Sequence, residues 1–211
     1  MNRIGIFGTS GFAREVADVA DELGYRPVFV ARDQGELDGW TAADEVVLEG
    51  DVDRFGDMPF AIGVGENAAR ERIARRFQRR LSFPTLVHPS ATFGRGQRAV
   101  AEASSGTVVC AGVRFTNNIV VGGFAIFNLN ATIGHDVVVD DFVNVSPGAT
   151  ISGNVHLATR CWIGTGAAVN QGTAEARLVI GADTVIGSGS VVVGSCDEGA
   201  VYVGVPARRI R

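Results

Sequence analysis

Apolar residues recur at every sixth position over residues 109–169 without interruption. The periodic positions are Val109, Phe115, Val121, Phe127, Ile133, Val139, Val145, Ile151, Leu157, Ile163 and Val169. A compact apolar residue follows four positions after all but the last, and a small or turn-forming residue comes directly after each. A period of six fits neither an α-helix nor a straight strand. It fits a solenoid in which three short strands and three corners form one coil, so the sequence predicts a β-helix.

The repeat begins at Val87 and is broken twice. Residues 97–106 interrupt the period and are predicted to form a protruding loop or an irregular coil. The second break falls after residue 169, where the register resumes one residue short of a multiple of six. Residues 170–178 are therefore predicted to be a loop that leaves the solenoid at a corner and walls a binding site. The final segment, YVGVPARRIR, leaves the repeat and is predicted to cap the open end of the coil.

The first part of the chain has a different pattern, in which strands, glycine turns and helices alternate. The predicted order is strand Arg3–Phe7, turn Gly8–Gly11, helix Phe12–Leu23, strand Pro27–Val30, strand Phe60–Val64 and a basic amphipathic helix from Glu66 to about Arg80. Strand, turn, helix and strand form a βαβ unit, which indicates a small parallel α/β domain. We therefore predict two domains, residues 1–84 and residues 85–211.

Composition narrows the class of protein. A net charge of −4 gives no basic field that would hold nucleic acid or an anionic membrane. No apolar run approaches the roughly 20 residues that span a bilayer, and the first residues lack the pattern of a secretory signal. Three widely spaced cysteines do not fit a disulfide framework or a zinc site, and packed free thiols are expected. These features agree with a soluble enzyme in the reducing cytosol, and no metal is expected.

Two features of the first domain are candidates for binding a phosphate. The turn GTSG opens a helix, where free amides and the positive end of the helix dipole favour a phosphate. Because the turn is not GxGxxG, the residues leave a phosphate cradle and an ordinary turn equally open. The second feature is the arginine-rich helix, which is more typical of a solvated face than of a phosphate site. Its arginines are Arg70, Arg72, Arg75, Arg76, Arg79 and Arg80.

The repeat predicts where the catalytic chemistry lies. His135 occupies the third position of its hexad, at a corner, so its side chain is predicted to point away from the core. Residues 18 apart stack on successive coils, which places Asn117, His135, Gly153 and Gln171 in one column. Imidazole is a suitable base near neutral pH, and the carboxylate of Asp136 can fix its tautomer. Gly153 would let backbone N–H groups approach a thioester oxygen.

Three motifs together carry a family resemblance. They are GTSGFAREV near the N-terminus, IGHD followed by VNVSPGATISGNV, and the ending GVPA at Gly204–Ala207. Over nearly its full length the chain resembles the bacterial NeuD/PglD group of sugar acetyltransferases. The resemblance implies a Rossmann-like nucleotide-binding α/β domain followed by a left-handed parallel β-helix. It also implies acetyl-CoA as co-substrate and a homotrimer with active sites between subunits.

The resemblance also implies roles for single residues. His135 corresponds to the general base, and Asp136 to its partner, which is often Glu in relatives. Asn144, Gly153 and Thr165 correspond to acetyl-CoA contacts, with a structural role for Asn144 equally open. The nucleotide-sugar contacts would be Gly8, Ser10, Gly11, Phe12, Asp33, Gly65 and Asn67. Phe12 stands where several relatives have His.

The function predicted first is N-acetylation of a nucleotide-linked amino-dideoxy sugar, with His135 as base and direct attack on the thioester. O-acetylation of a sialic acid is the alternative, and a non-catalytic nucleotide-sensing module is an alternative of another class. A γ-type carbonic anhydrase is disfavoured, because its zinc needs three converging histidines and His88, His135 and His156 lack such spacing. His88 is expected in a turn and His156 on the solvated surface.

A further expectation concerns assembly. Apolar corner residues such as Phe124, Leu129 and Trp162 are expected on one wall of the β-helix. A contiguous apolar wall is normally covered in the functional assembly, so a neighbouring subunit is predicted to cover this one.

Overall fold

The computed structural model describes residues 2–211, and the first part of it is a four-stranded parallel sheet. The strand order is β3-β2-β1-β4, with β1 at Asn2–Phe7, β2 at Tyr25–Ala31, β3 at Val46–Leu48 and β4 at Phe60–Ile62. The helices are α1 (Gly11–Glu22), α2 (Gln34–Asp38) and α3 (Asn67–Phe77), with a 3-10 helix at Glu49–Phe55. Helix α1 packs on one face of the sheet and α3 on the other.

The predicted strands and the two long helices are confirmed, with ends that shift by a few residues. Helix α2, strand β3 and the 3-10 helix have no counterpart in the predicted elements. All three are short, and β3 is only half-buried, so no hydrophobic period marks them in the sequence.

The second part is a three-sided parallel β-helix, in which each side is a sheet. Face 1 consists of β5 (Leu86–Val87), β7 (Val108–Val109), β10 (Ile126–Phe127), β13 (Asn144–Val145), β16 (Trp162–Ile163), β19 (Val185–Ile186) and β21 (Val201–Val203). Face 2 consists of β6 (Thr92–Phe93), β8 (Arg114–Phe115), β11 (Thr132–Ile133), β14 (Thr150–Ile151), β17 (Ala168–Val169) and β20 (Val191–Val192). Face 3 consists of β9 (Val120–Val121), β12 (Val138–Val139), β15 (Val155–Leu157) and β18 (Leu178–Ile180).

The register confirms the predicted coil. Asn144 pairs with Ile126 of the coil before and with Trp162 of the coil after, so residues 18 apart stack. The second residue of each strand pair points inward: Phe127, Val145 and their equivalents form one buried core. We name the corners by the faces they join, so that edge 2–3 leads from face 2 to face 3.

Residues 97–106 correct the prediction of a protruding loop. They include helix α4 (Gln97–Glu102), which follows β6 and occupies the place of the face 3 strand in the first coil. The buried Gln97 side chain accepts a hydrogen bond from the backbone N–H of Ile119, beside strand β9. A short helix therefore covers the end of face 3, and a six-residue period cannot reveal it.

The other two predicted irregular segments are present, although the loop ends one residue earlier than predicted because Leu178 begins β18. The chain between β17 and β18 leaves the solenoid at edge 2–3 as a loop over residues 170–177. At the C-terminus, β22 (Arg208–Arg209) turns back to pair antiparallel with β21, and Ala207 packs against the β-helix core. The tail thus leaves the repeat and closes the last coil.

The N-terminal part lies against face 1. On the first strands of this face the outward side chains Leu86, Val108 and Ile126 are buried, whereas Thr92, Arg114 and Thr150 on face 2 are exposed. Leu86 and Val108 share an apolar cluster with helix α1.

At Phe124 the expectation that a neighbouring subunit covers the apolar wall is wrong. Its ring packs 5.6 Å from Phe83 and 5.4 Å from Phe142, measured between centroids, in the cluster that also contains helix α3. The N-terminal part of the same chain therefore covers this corner. Trp162 is half-buried on face 1, while Leu129 stays exposed.

Arg70 joins the two parts and corrects the prediction that the arginine-rich helix is solvated throughout. Its side chain is 1% exposed, and it donates to the carbonyl oxygens of Phe124 (2.8 Å) and Phe142 (2.7 Å). Asn67, one helical turn earlier, donates to the carbonyl of Arg160 (2.7 Å). Because residues 124, 142 and 160 are 18 apart, two side chains of α3 bind three consecutive coils. Burial lowers the pKa of Arg70 to about 9, so its guanidinium stays protonated at neutral pH.

Candidate active site and sheet-edge cleft

His135 lies at edge 2–3 and forms a tight pair with the next residue. Its Nδ1 is 2.7 Å from Oδ2 of Asp136, and the imidazole is 56% exposed, so a substrate can reach it. Asp136 adopts a positive φ of 61°, which Asp tolerates better than most residues and which turns the chain at the corner.

Asp136 is itself held from the preceding coil. Asn118, 18 residues earlier, donates from Nδ2 to Oδ1 of Asp136 at 2.5 Å. The hydrogen bond from Asn118, and after it the one from His135, lowers the pKa of Asp136 below its usual value. The ionised carboxylate can only accept hydrogen bonds, so Nδ1 of His135 carries the proton. The lone pair of Nε2 is then available as a base.

Gly153 lies one coil further along and supports the imidazole directly. A Cβ built on Gly153 would lie 2.4 Å from the ring of His135, so only glycine lets the ring rest on the backbone here. The carbonyl of Gly153 accepts from the N–H of Gly172, which belongs to the loop over residues 170–177. The positive charge of Arg177 in that loop also helps to lower the pKa of Asp136. The loop therefore lies beside the histidine, as the sequence predicts.

The remaining predicted acetyl-CoA contacts lie elsewhere in the chain. Asn144 is buried on face 1, where its Nδ2 donates to the carbonyl of Gly65 at 3.2 Å. Its Oδ1 is buried without a hydrogen-bond partner among residues 2–211. Thr165 is exposed at edge 1–2. Within one chain the structure brings together His135, Asp136 and Gly153, and it does not bring Asn144 or Thr165 to them.

A cleft of about 290 Å³ crosses the carboxyl edge of the N-terminal sheet, the usual ligand position in an open α/β sheet. Gly8 and Ser10 line it, and Ser10 is the N-cap of helix α1. Gly8 has a φ of +113°, and a Cβ there would lie 3.1 Å from the carbonyl oxygen of Gly63. The cleft is lined by Phe7, Gly8, Thr9, Ser10, Val30, Arg32, Glu36, Glu49, Val64, Ala69, Arg72 and Ile73.

The other predicted nucleotide contacts do not line this cleft. Asp33 caps helix α2: its Oδ1 accepts from the N–H of Glu36 at 3.0 Å, and this bond lowers the pKa of Asp33. Phe12 packs against the apolar cluster around α1. A side chain at Gly11 would meet only the tip of Arg14.

Gly65 and Asn67 belong to the junction between the two parts of the chain. The carbonyl of Gly65 accepts from Arg70 and Asn144, and the Asn67 side chain bonds backbone carbonyls of the β-helix. Their polar groups are therefore occupied by contacts within the chain.

Sequence reasoning missed two carboxylates that line the cleft, Glu36 and Glu49. Glu49 directly follows strand β3, which the sequence pattern does not reveal, so its place at the sheet edge had no signal. Glu36 occupies the third position of helix α2, after the Asp33 cap, and a cap–Glu spacing is the one signal that marks it.

The other two histidines are occupied locally. His88 Nδ1 accepts from the backbone N–H of Ser90 at 3.0 Å. His156 is half-buried, and its Nε2 lies 3.0 Å from Oδ2 of Asp140. The prediction that His156 is freely solvated is therefore wrong. Among residues 2–211, no group of three His, Cys, Asp or Glu side chains is placed to hold a metal.

The three cysteines are free and buried, as predicted. Burial raises the pKa of Cys110 to about 12 and that of Cys196 to about 11. Within the described residues, no helix combines the length and the apolar character needed to cross a bilayer.

Comparison with known proteins finds likeness along the whole chain. Residues 3–77 match the PglD N-terminal domain family. The GDP-perosamine N-acetyltransferase of Escherichia coli O157:H7 is 25% identical over 225 aligned residues, which cover 100% of this chain and 97% of that protein.

Two solved structures share the complete fold. PerB from Caulobacter crescentus, in complex with CoA and GDP-perosamine, is 25% identical with a TM-score of 0.84, covering 99% of this chain and 97% of that one. The acetyltransferase domain of PglB from Neisseria gonorrhoeae FA1090, in complex with acetyl coenzyme A, is 28% identical with a TM-score of 0.85, and each chain is covered completely. These likenesses confirm the predicted fold class, an α/β domain followed by a left-handed β-helix.

Proposed function

Because this chain is homologous to the NeuD/PglD-type sugar acetyltransferases, we propose that it transfers the acetyl group of acetyl-CoA to the amine of a nucleotide-linked amino sugar. The observation that carries the proposal is an exposed His135–Asp136 pair in a chain that also holds a separate cleft suited to a nucleotide. The full-length likeness to a complex that contains both CoA and GDP-perosamine supports the same combination.

His135 is proposed to act as the general base. The neutral sugar amine attacks the thioester carbonyl carbon and forms a tetrahedral oxyanion, while Nε2 of His135 takes the proton that the nitrogen releases. Collapse of the oxyanion breaks the C–S bond, and the imidazolium returns the proton to the leaving thiolate of CoA. Asp136 orients the ring and stabilises the imidazolium.

The glycine turn after β1 is proposed to hold the diphosphate of the sugar nucleotide. The first amides of helix α1 are free to donate, and the positive end of the helix dipole favours an anion. Arg72, which lines the same cleft, adds a positive charge.

We propose a homotrimer with active sites between subunits, and the positions of these groups support it. The N-terminal part covers face 1 and edge 3–1, whereas His135 lies at edge 2–3, across face 3 of the same coil. We propose that the nucleotide cleft of one subunit serves the histidine of the next. In such an assembly, edge residues such as Thr165 face a neighbouring subunit and line the acetyl-CoA groove together with it.

The direct test is acetyl-CoA consumption with a panel of amino-sugar nucleotides and free sialic acids. We expect turnover with an amino-dideoxy-sugar nucleotide, and a product heavier by one acetyl group at the amine. Turnover of sialic acid alone would establish the O-acetyltransferase alternative. Tight nucleotide binding without any acetyl transfer would instead support a sensing module.

A further inference from the structure

The cleft runs across three strands of the N-terminal sheet, and each strand contributes a different chemistry. The glycine turn follows β1, Arg32 and Glu36 follow β2, and Glu49 follows β3. Neighbouring strands lie about 4.8 Å apart, so Glu49 is about 10 Å from the turn along the sheet edge. A ligand with an anionic end and an extended body can therefore occupy all three positions.

The charges decide which way round a nucleotide lies. The turn and the start of α1 attract phosphate, whereas carboxylates at Glu36 and Glu49 repel it. The diphosphate thus belongs at β1, and the base belongs at β3. Apolar side chains from the sheet and from α3, including Val30 and Ile73, line the cleft between them and suit the faces of a flat base.

Glu49 is fixed in place at the base end. Its side chain is only 12% exposed, and Arg76 forms an ion pair with one of its oxygens. An ionised carboxylate offers only acceptors, so a ligand that meets it must supply donors. A buried acceptor that receives no donor costs free energy, and this cost makes the contact selective.

We propose that Glu49 recognises guanine, and that the acceptor sugar is carried by a guanine nucleotide. This step rests on the proposed function above. Guanine presents two adjacent donors, N1–H and one N–H of its amino group, which match the two oxygens of one carboxylate. Uracil and thymine present a single donor between two carbonyl oxygens, and adenine presents an amino group beside an acceptor nitrogen, so each places an acceptor against Glu49.

Glu36 lies at the intermediate position and completes the arrangement. Its Oε2 accepts from the backbone N–H of Arg32 at 2.9 Å, and its side chain is 30% exposed toward the cleft. A carboxylate after the second strand of a nucleotide-binding α/β sheet is suited to accept from ribose hydroxyls. The order of phosphate, ribose and base along the edge is then the order in a nucleotide.

The test is a calorimetric titration of the full-length protein with GDP, UDP, dTDP and ADP. We expect GDP to bind at least tenfold more tightly than each of the others. In Glu49→Gln, where the amide keeps the shape, we expect GDP affinity to fall at least tenfold while UDP affinity changes less than threefold. Acetyl-CoA affinity is measured in parallel and should not change.

Two control variants distinguish recognition of guanine by Glu49 from a structural role of its ion pair with Arg76. Glu45→Gln removes an exposed carboxylate that also pairs with an arginine, Arg3, and should leave GDP preference intact. Arg76→Gln removes the ion pair but keeps the Glu49 carboxylate, so GDP should still be preferred over UDP.

Equal affinity of the unmodified protein for GDP and UDP would overturn the guanine proposal and leave the nucleotide site standing. An equal loss of affinity for all four nucleotides in Glu49→Gln would also overturn the guanine proposal, because Glu49 would then have a structural role. If no nucleoside diphosphate binds while acetyl-CoA does, the proposed nucleotide-sugar function itself fails. The comparison of GDP with UDP on the unmodified protein tests the proposal even if a variant does not fold.

Discussion

At the scale of single residues, the exposed imidazole of His135 is the group that the proposed chemistry depends on. We expect His135→Ala to lower kcat by about 10²-fold or more, the range for loss of a general base, with KM for both substrates nearly unchanged. Steady-state kinetics measures both quantities. His156→Ala, which removes a second Asp-paired histidine, is the matched control and should keep near-full activity. An unaltered rate in His135→Ala would remove the catalytic assignment.

Asp136→Asn tests the carboxylate beside the ring. Because Asn118 and His135 keep the pKa of Asp136 low, its negative charge is present throughout the neutral range. Removing this charge destabilises the imidazolium, so the acidic limb of the pH–rate profile should move to lower pH, with a smaller loss of kcat than in His135→Ala. A shift to higher pH, or no shift, would contradict the pairing.

Gly153→Ala tests whether Gly153 positions the imidazole of His135 without contributing to the stability of the fold. The added methyl group overlaps the imidazole of His135, and the exposed ring can move away at little cost. We expect kcat to fall at least several-fold, while the free energy of unfolding changes by less than about 0.5 kcal/mol. A large loss of stability would instead show that the backbone takes the strain.

The sequence was sufficient to predict the residues at edge 2–3, because stacking every 18 residues follows directly from the period of six. His135, Asp136 and Gly153 could be placed together for that reason. Glu36 and Glu49 could not, since their positions depend on short elements without a hydrophobic period. Arg70 was misjudged because a charged residue on a basic helix is usually solvated, and only the tertiary contact with the β-helix carbonyls explains its burial.

At the scale of elements, helix α3 determines how the two parts of the chain are joined. Arg70→Met removes the donors that satisfy several buried carbonyls, so we expect a loss of about 3–5 kcal/mol in the free energy of unfolding. Urea denaturation measures it. Arg79→Ala, at an exposed position beyond the end of the same helix, is the control and should stay within about 0.5 kcal/mol. Equal stability of the two variants would show that the buried contacts contribute little.

The long periodic elements were predicted more reliably than the short ones. Helices α1 and α3 have clear apolar faces, and the coils repeat a strict pattern. Helix α4 has only six residues and sits where a strand of face 3 would otherwise lie. Helix α4 covers the end of face 3 because it packs against β9. This is a contact between two elements, so no pattern within residues 97–102 predicts it.

At the scale of the whole molecule, the proposed trimer makes a prediction about mixed subunits. His135→Ala and Arg72→Glu, which reverses a charge in the nucleotide cleft, should each be nearly inactive alone. If each site uses the histidine of one subunit and the cleft of another, unfolding and refolding the two together should restore activity at about a quarter of the sites. Activity is assayed after size-exclusion chromatography confirms a trimer. No recovery in verified mixed trimers would place both groups of a site in one chain.

The contact between α3 and three successive coils also has a consequence for how such chains change length. Inserting 18 residues adds one complete coil and shifts everything beyond it by about 4.8 Å along the axis. Inserting six advances the chain by one face and moves every later corner to a different edge. Residues 124–160, which α3 contacts, also contain the His135 corner. Whole coils gained or lost beyond the loop over residues 170–177 therefore leave the histidine, this loop and the nucleotide cleft in the same relation. The solenoid can vary in length during evolution without rebuilding its chemistry.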